Sequence, residues 1–382
     1  MPDGGGRRSR SFLSSPSDAS GATSPWRGED CELAGIDAGD YTHAMSDVLG
    51  LPVAETGAID AVRFEAEIAH GYRPVVMRGL AADWPAVRAA QTSDSAIGDH
   101  IVQFDGGRSA DVMVAQSDVR GRFFYNDDLS GFNFERAKAP IPTLVEQLIA
   151  LQAVPGAPAI YAGAAAAGEL LPGWAETNVL PLPTSDAVPR VWIGNESRVS
   201  AHYDVSSNVA VVVAGRRRFC LFPPEQGPNL YVGPLDVTLA GQPVSLVDLE
   251  EPDLERYPRF AEARAQMQVT VLEPGDAIFI PSMWWHDVKA LGQFNVLVNY
   301  WWGAAGAASP FPALIHAILA IRDLPPGERA AVRGWFDQYV FGDDAQSAAA
   351  HLPEAARGVL GAPSSERTDV IRGYLARTLE RL

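Results

Sequence analysis

The sequence predicts a mainly β protein with flanking helices, its core a sandwich or jelly-roll barrel of short strands. Three observations carry this. From about residue 160 to residue 302 the chain runs as short apolar segments, among them Ala159-Ile160-Tyr161, Val191-Trp192-Ile193, Val209 to Val213 and Ala277 to Ile280, separated by Gly, Pro, Asn and Asp turns. No helical pattern lies between those segments, as a parallel α/β sheet would require. After Trp302 the apolar spacing turns helical. The chain therefore divides into a disordered tail over 1–40, an N-terminal α/β flank over 41–157, the barrel over 158–303 and a helical segment over 304–382.

With 382 residues the chain has room for a core domain and an appendage. It is 47% hydrophobic yet has no apolar run near the ~20 residues that cross a bilayer, which predicts no membrane span. The formal net charge of −17 repels a phosphate backbone, so nucleic acid is not an expected partner. Cys31 and Cys220 are far apart and form no metal-binding spacing, which points to a reducing, cytoplasmic location. Residues up to Glu29 are rich in Ser, Gly, Arg and Pro. Arg7, Arg8 and Arg10 have no apolar segment behind them that could serve as a signal, so this stretch reads as tail.

In the flank, Ala61, Phe64, Ile68 and Ala69 recur at helical spacing, and Gly71 ends that helix. Pro74 to Gly79 reads as a strand and turn, Asp83-Trp84-Pro85 as a rigid turn. Strands are expected at Ile101 to Phe104, Ala110 to Val114 and Phe123 to Tyr125. Thr143-Leu144-Val145-Glu146 has the form of a capping box, which predicts a helix from Thr143 to about Gln152. Within the barrel, the polar insertion from Asp248 to Arg264 is either a lid or binding loop or a solvated acidic surface. Beyond it, Leu314, Ile318 and Ile321 form one helical stripe, Pro325-Pro326 breaks it, and Val332, Trp335, Phe336 and Tyr339 form a second. Ile371, Tyr374, Leu375, Leu379 and Leu382 form a third. These faces must be buried on the barrel or against the same helices of a second subunit.

Chemistry concentrates at His202-Tyr203-Asp204, at the head of the Val209 to Val213 strand. A H-x-D pair needs a third ligand. His286 supplies one, in Pro281-Ser282-Met283-Trp284-Trp285-His286 behind the turn signal Pro274-Gly275-Asp276 and the strand Ala277 to Ile280. Two imidazoles and a carboxylate on one face of Fe(II) leave three positions open for a co-substrate and O₂. Trp192, Phe279, Trp284 and Trp285 are the expected walls of that pocket.

His202-Tyr203-Asp204 with Asn208, Gly215 to Pro224, Pro274 to His286 and Val298 to Trp302 resemble, in order and spacing, the cupin-like JmjC oxygenases that use Fe(II) and 2-oxoglutarate. Within that family the chain is most similar to the asparaginyl hydroxylases that act on hypoxia-inducible factor. The resemblance implies a double-stranded β-helix core, a C-terminal helical dimerisation segment, and iron held by His202, Asp204 and His286. It further implies that 2-oxoglutarate chelates the metal while a cation grips its far carboxylate. The family's lysine is replaced here by Arg217, between Arg216 and Arg218. An arginine fork suits a carboxylate, and strand alternation lets at most two of the three point inward. Tyr161, Asn208 and Asn299 match further co-substrate or active-site positions. Val199 stands where the family has a threonine, with Ser197 and Ser200 nearby.

The implied reaction is hydroxylation of a side chain in a peptide or protein, or of an amino-acid-like small molecule, with release of succinate and CO₂. Two other readings compete: a cupin-like binding module without catalysis, and a cupin enzyme that needs no co-substrate. The second usually has more histidine ligands, whereas His43, His70, His100, His316 and His351 lie outside the barrel motifs.

Overall fold

The computed structural model describes residues 49–183, 187–303 and 309–380. The expected tail, with Cys31 and the arginine cluster, lies outside them, as does Leu382.

The strands in chain order are β1 (Leu51–Pro52), β2 (Ala54–Thr56), β3 (Val75–Met77), β4 (Ser109–Ala115), β5 (Arg122–Phe123), β6 (Glu135–Pro140), β7 (Ala159–Ala166) and β8 (Pro189–Gly194). They continue with β9 (Ser197–Tyr203), β10 (Ser207–Ala214), β11 (Arg217–Phe222), β12 (Gln268–Leu272), β13 (Ala277–Ile280), β14 (Trp285–Ala290) and β15 (Asn295–Trp302). From β8 onwards they pair antiparallel as two layers, β13-β10-β15-β8 and β12-β11-β14-β9. That is a jelly-roll core. The flank widens the first layer with β2 and β3 at one edge and β7, β4 and β6 at the other, and the second with β1 and β5.

Strand β10 explains why the apolar run Val209 to Val213 is unbroken: both of its faces are buried. Val209, Val211 and Val213 pack outward against flank residues such as Ile97, Ile101 and Leu144. Ala210 and Val212 point into the barrel with Phe219, Ile278 and Leu297. The turn into β11 demands glycine, because Gly215 sits at φ +69° and a Cβ there would lie 2.2 Å from Asn295 Oδ1.

The flank departs from expectation in two places. Ile101 closes a helix, Asp94–Val102, rather than opening a strand. Ser93 Oγ caps this helix by accepting from Ala96 N at 3.0 Å, while Ile97 and Ile101 lie one turn apart on its buried face. The next helix spans Ile141–Leu151, so Thr143 lies inside it and makes no capping bond. Pro140 and Pro142 frame its start instead, where a missing N–H costs nothing. The helix expected near Ala61 is present and widens over Phe64–Ala69, ending as Gly71 N donates to Ile68 O.

The insertion from Asp248 is a strut on the outer side of the second layer, not a lid. Asp248 accepts from Arg198 Nη2 at 2.7 Å and Arg122 Nη1 at 3.1 Å, and Glu250 accepts from Arg218 Nη2 and Lys289 Nζ, both at 2.9 Å. Leu249, Phe260 and Ala263 pack beneath it against Tyr203, Phe222 and Trp285. Burial opposes ionisation of Asp248, but the hydrogen bond and charge of Arg198, with the charge of Arg122, outweigh it and hold the carboxyl at about 2. Glu250 is lowered too, because Lys289, Arg198 and Arg218 together outweigh its burial. Depressed folded values mean stability that is complete above the unfolded pKa and lost as pH falls below it. Asp248→Asn should therefore cost roughly 2 kcal/mol at pH 7, with the gap to wild type closing as urea unfolding is repeated from about pH 5 towards pH 2.

The C-terminal segment forms the three expected helices, Pro310–Ala320, Pro326–Phe336 and Ser365–Leu379. Ser309 and Ser364 cap the first and third through their hydroxyls. No residue of the three is buried, and Leu319, Trp335 and Tyr374 are 68%, 67% and 62% exposed. The faces expected to be covered are open in the single chain.

Candidate metal centre

Strand β9 ends by presenting His202, and Asp204 follows one residue beyond it. Strand β14 runs antiparallel beside β9, and its register places His286 directly opposite His202. The two rings are 4.4 Å apart, and His286 Nε2 lies 3.6 Å from Asp204 Oδ2. One ligand atom from each of the three residues falls within 4.8 Å of the others. A turn ties the parts together. Met283, held at φ 67°, donates its N–H to Asp204 O at 2.7 Å just before β14 begins.

The histidines are prepared in the same way. His202 Nδ1 lies 2.9 Å from Ser200 O and His286 Nδ1 lies 3.0 Å from Trp284 O. A carbonyl can only accept, so each Nδ1 carries the proton and each Nε2 keeps its lone pair for a ligand. Burial, then the neighbouring His202, push the pKa of His286 well below the usual range, against a partial pull upward from Asp204. The 3.6 Å approach to Asp204 is accordingly no ion pair at neutral pH. Two imidazoles and a carboxylate are a donor set that fits a divalent first-row transition metal.

A cavity of about 330 Å³ opens beside the three residues. Arg217 enters it from β11, 4% exposed, and forms no ion pair among the described residues; its Nε has no partner. Burial drives its pKa down to about 10, against the upward pull of Tyr161, and it stays cationic at neutral pH. Tyr161 lines the same cavity, stacked on Trp192 at 5.3 Å, and burial raises its pKa further than Arg217 lowers it. Asn208 and Asn299 line it also, 2% and 6% exposed, each with an unpartnered Oδ1. All seven residues singled out in the sequence thus border one space. Arg218 points to the opposite face, onto Glu250, and half-exposed Arg216 reaches Glu273 only at 3.9 Å. Val199 lines the cavity beside Val288, while Ser200 Oγ turns away to accept from Arg122 Nε at 3.2 Å.

Three of the four expected walls lie elsewhere. Trp192 lines the cavity, but Trp285 faces the outer cluster with Tyr203, because neighbours of an inward His286 must point outward. Phe279 stacks on Trp302 beneath the flank helices, and Trp284 donates its indole N–H to Tyr72 O. The walls that motif reading missed come from a loop, through Leu239, Gln242 and Val244, and from Met113 and Phe123 of the flank. The loop carries no motif; its only signal was its place before the acidic insertion.

A model of the family described as a cupin-like domain matches residues 61–307. Among curated proteins, the chain is 40% identical over 112 residues to the lysine-specific demethylase JMJ31 of Arabidopsis thaliana, covering 29% of this chain and 20% of that protein. It is 42% identical over 101 residues to tRNA wybutosine-synthesizing protein 5 of Danio rerio, covering 26% and 28%. It is 38% identical over 114 residues to HSPB1-associated protein 1 of Rattus norvegicus, covering 29% and 23%. The matched stretch spans less than a third of each relative's length. The family match, in contrast, takes in the whole jelly-roll core and more than half of the chain. This chain belongs to the family of proteins built on a cupin-like domain.

Proposed function

We propose that the protein is an Fe(II)- and 2-oxoglutarate-dependent oxygenase that hydroxylates a peptide or protein side chain, or an amino-acid-like small molecule. The observation that carries this is the buried, unpaired Arg217 guanidinium, aimed into the same cavity as His202, Asp204 and His286. A buried cation without a counter-ion is costly unless a ligand supplies one. A dicarboxylic acid does so at one end while its 2-oxo acid end reaches the metal ligands.

Bound iron would supply the activation of O₂: one oxygen atom enters succinate as 2-oxoglutarate loses CO₂, and the other enters the substrate as hydroxyl. The chain's own residues hold and shield. The carbonyls of Ser200 and Trp284 fix the tautomers of His202 and His286. Arg217 and Tyr161 hold the far carboxylate, Asn208 and Asn299 offer unpartnered amide oxygens, and Val199, Phe219, Val288 and Leu297 exclude water around the metal. The finer likeness to the asparaginyl hydroxylases belongs to this proposal as well.

Anaerobic addition of Fe(II) and 2-oxoglutarate to the full chain tests it without a substrate. A visible metal-to-ligand charge-transfer band is the expected result. Its absence at saturation leaves a non-catalytic binding module.

The proposal includes a homodimer formed through the C-terminal helices, in which a second copy covers the faces bearing Leu319, Trp335 and Tyr374. Light scattering should give twice the chain mass, and Leu319→Glu with Trp335→Glu should shift it to the single-chain mass. A cytoplasmic setting is proposed on the buried free thiol of Cys220, raised to about 12 chiefly by burial. No helix among the described residues is long and apolar enough to cross a membrane.

A further inference from the structure

One wall of the cavity is formed by Leu239, Ala240, Gln242 and Val244, from the loop that runs between the paired residues Val232 and Ser245. Its base is sealed by Gly233 N donating to Val244 O at 2.9 Å and Ser245 Oγ donating to Leu230 O at 2.6 Å. Its tip is latched to the flank, because Tyr125 Oη donates to Val237 O at 2.8 Å and Arg136 Nη2 donates to Leu239 O at 2.6 Å. The loop so held turns Leu239 and Gln242 into the cavity.

Charge in that space is closely accounted for. Among the described residues, the ionisable groups lining it apart from the two histidines are Asp204, Arg217 and Tyr161. On the oxygenase reading, on which this inference rests, the metal takes Asp204 and the co-substrate carboxylate takes Arg217. Tyr161 stays neutral, since burial raises its pKa. A substrate cation or anion entering past Leu239 would then find no opposite charge and would lose its hydration. Neutral hydrogen-bonding groups are available instead: Asn299 Oδ1 and Trp301 Nε1 are buried in the lining without partners.

We propose that the loop between Val232 and Ser245 is the substrate-selecting wall, with Leu239 and Gln242 as its specificity-determining residues, and that it admits an uncharged side chain, apolar or amide-bearing, in preference to a charged one. The probes are the blocked tripeptides acetyl-Gly-X-Gly-amide with X as Leu, Asn, Lys or Glu, titrated anaerobically into the full chain loaded with Fe(II) and 2-oxoglutarate. The readout is the displacement of the charge-transfer band, which needs no turnover. Failure of the band to form in wild type counts against the oxygenase reading itself. Where it forms, the Leu or Asn peptide should shift it at concentrations at least about tenfold lower than the Lys or Glu peptide. Leu239→Glu should move the preference about tenfold towards Lys, Gln242→Glu should move it the same way if the first variant does not fold, and Leu239→Met should keep the wild-type order. The proposal is overturned if a charged peptide binds wild type as tightly as the uncharged ones. It is equally overturned if none of the four moves the band, or if the folded glutamate variants keep the wild-type order.

Discussion

Replacing Arg217 with methionine is expected to raise the stability of the ligand-free protein while abolishing its affinity for 2-oxoglutarate. The guanidinium is 4% exposed and unpaired, and burial brings its pKa from 12.5 to about 10. That depression corresponds to about 3 kcal/mol spent on keeping the charge inside. Methionine fills much of the same space without the charge, so urea unfolding should show a gain of about 1–3 kcal/mol. The co-substrate meanwhile loses the one Arg or Lys that lines the cavity among the described residues, and anaerobic calorimetry should show affinity falling at least about a hundredfold, or ~3 kcal/mol. The opposite signs separate a binding residue from a structural one. A variant that is less stable yet still binds 2-oxoglutarate would place the carboxylate elsewhere.

Removing His286 should act on the metal alone. Wild-type protein at about a hundredfold excess of Fe(II) over its Kd should gain ~2.7 kcal/mol, seen in anaerobic thermal unfolding as a rise of about 3–5 °C in Tm for a chain of this size. His286→Ala leaves one imidazole and one carboxylate, and the rise should vanish together with the charge-transfer band. The same variant without metal should unfold within a few degrees of metal-free wild type, because the ring is neutral in its folded setting and is held by one bond to Trp284 O. A metal-dependent rise that survives the substitution would remove His286 from the ligand set.

Much of the centre was legible in sequence because its signals are local. His202 and Asp204 sit two apart at a strand end, and Pro274-Gly275-Asp276 announces the strand that leads to His286. The errors arose where facing mattered. Phe279, Trp284 and Trp285 looked like pocket walls because they are aromatic and adjacent to the motif, yet none of them lines the cavity: Phe279 and Trp285 face the outer clusters, and Trp284 packs in the barrel interior behind the lining residues Phe219 and Leu297. Ile101 looked like a strand residue because four apolar-rich positions in a row cannot tell a strand from the end of a helix; the Ser93 cap decided it. The acidic insertion read as a lid or a solvated surface because no charged partner for Asp248 and Glu250 stands near them in the sequence. Their partners, Arg122, Arg198, Arg218 and Lys289, come from strands distant in the chain.

The sequence by itself determined the jelly-roll class, the three side chains that could hold a metal and the helical end of the chain, since strand and helix periods and the H-x-D pair are properties of neighbouring residues. Only the tertiary structure decided that His202 and His286 stand in register and that Arg217 rather than Arg216 or Arg218 enters the cavity. It also decided that the loop before Ser245, not the acidic stretch after it, forms a wall of that cavity. The physical reason is common to all three. Which face of a strand is inward, and which loop meets which wall, follow from pairing between segments far apart in the chain, and no local pattern encodes that pairing.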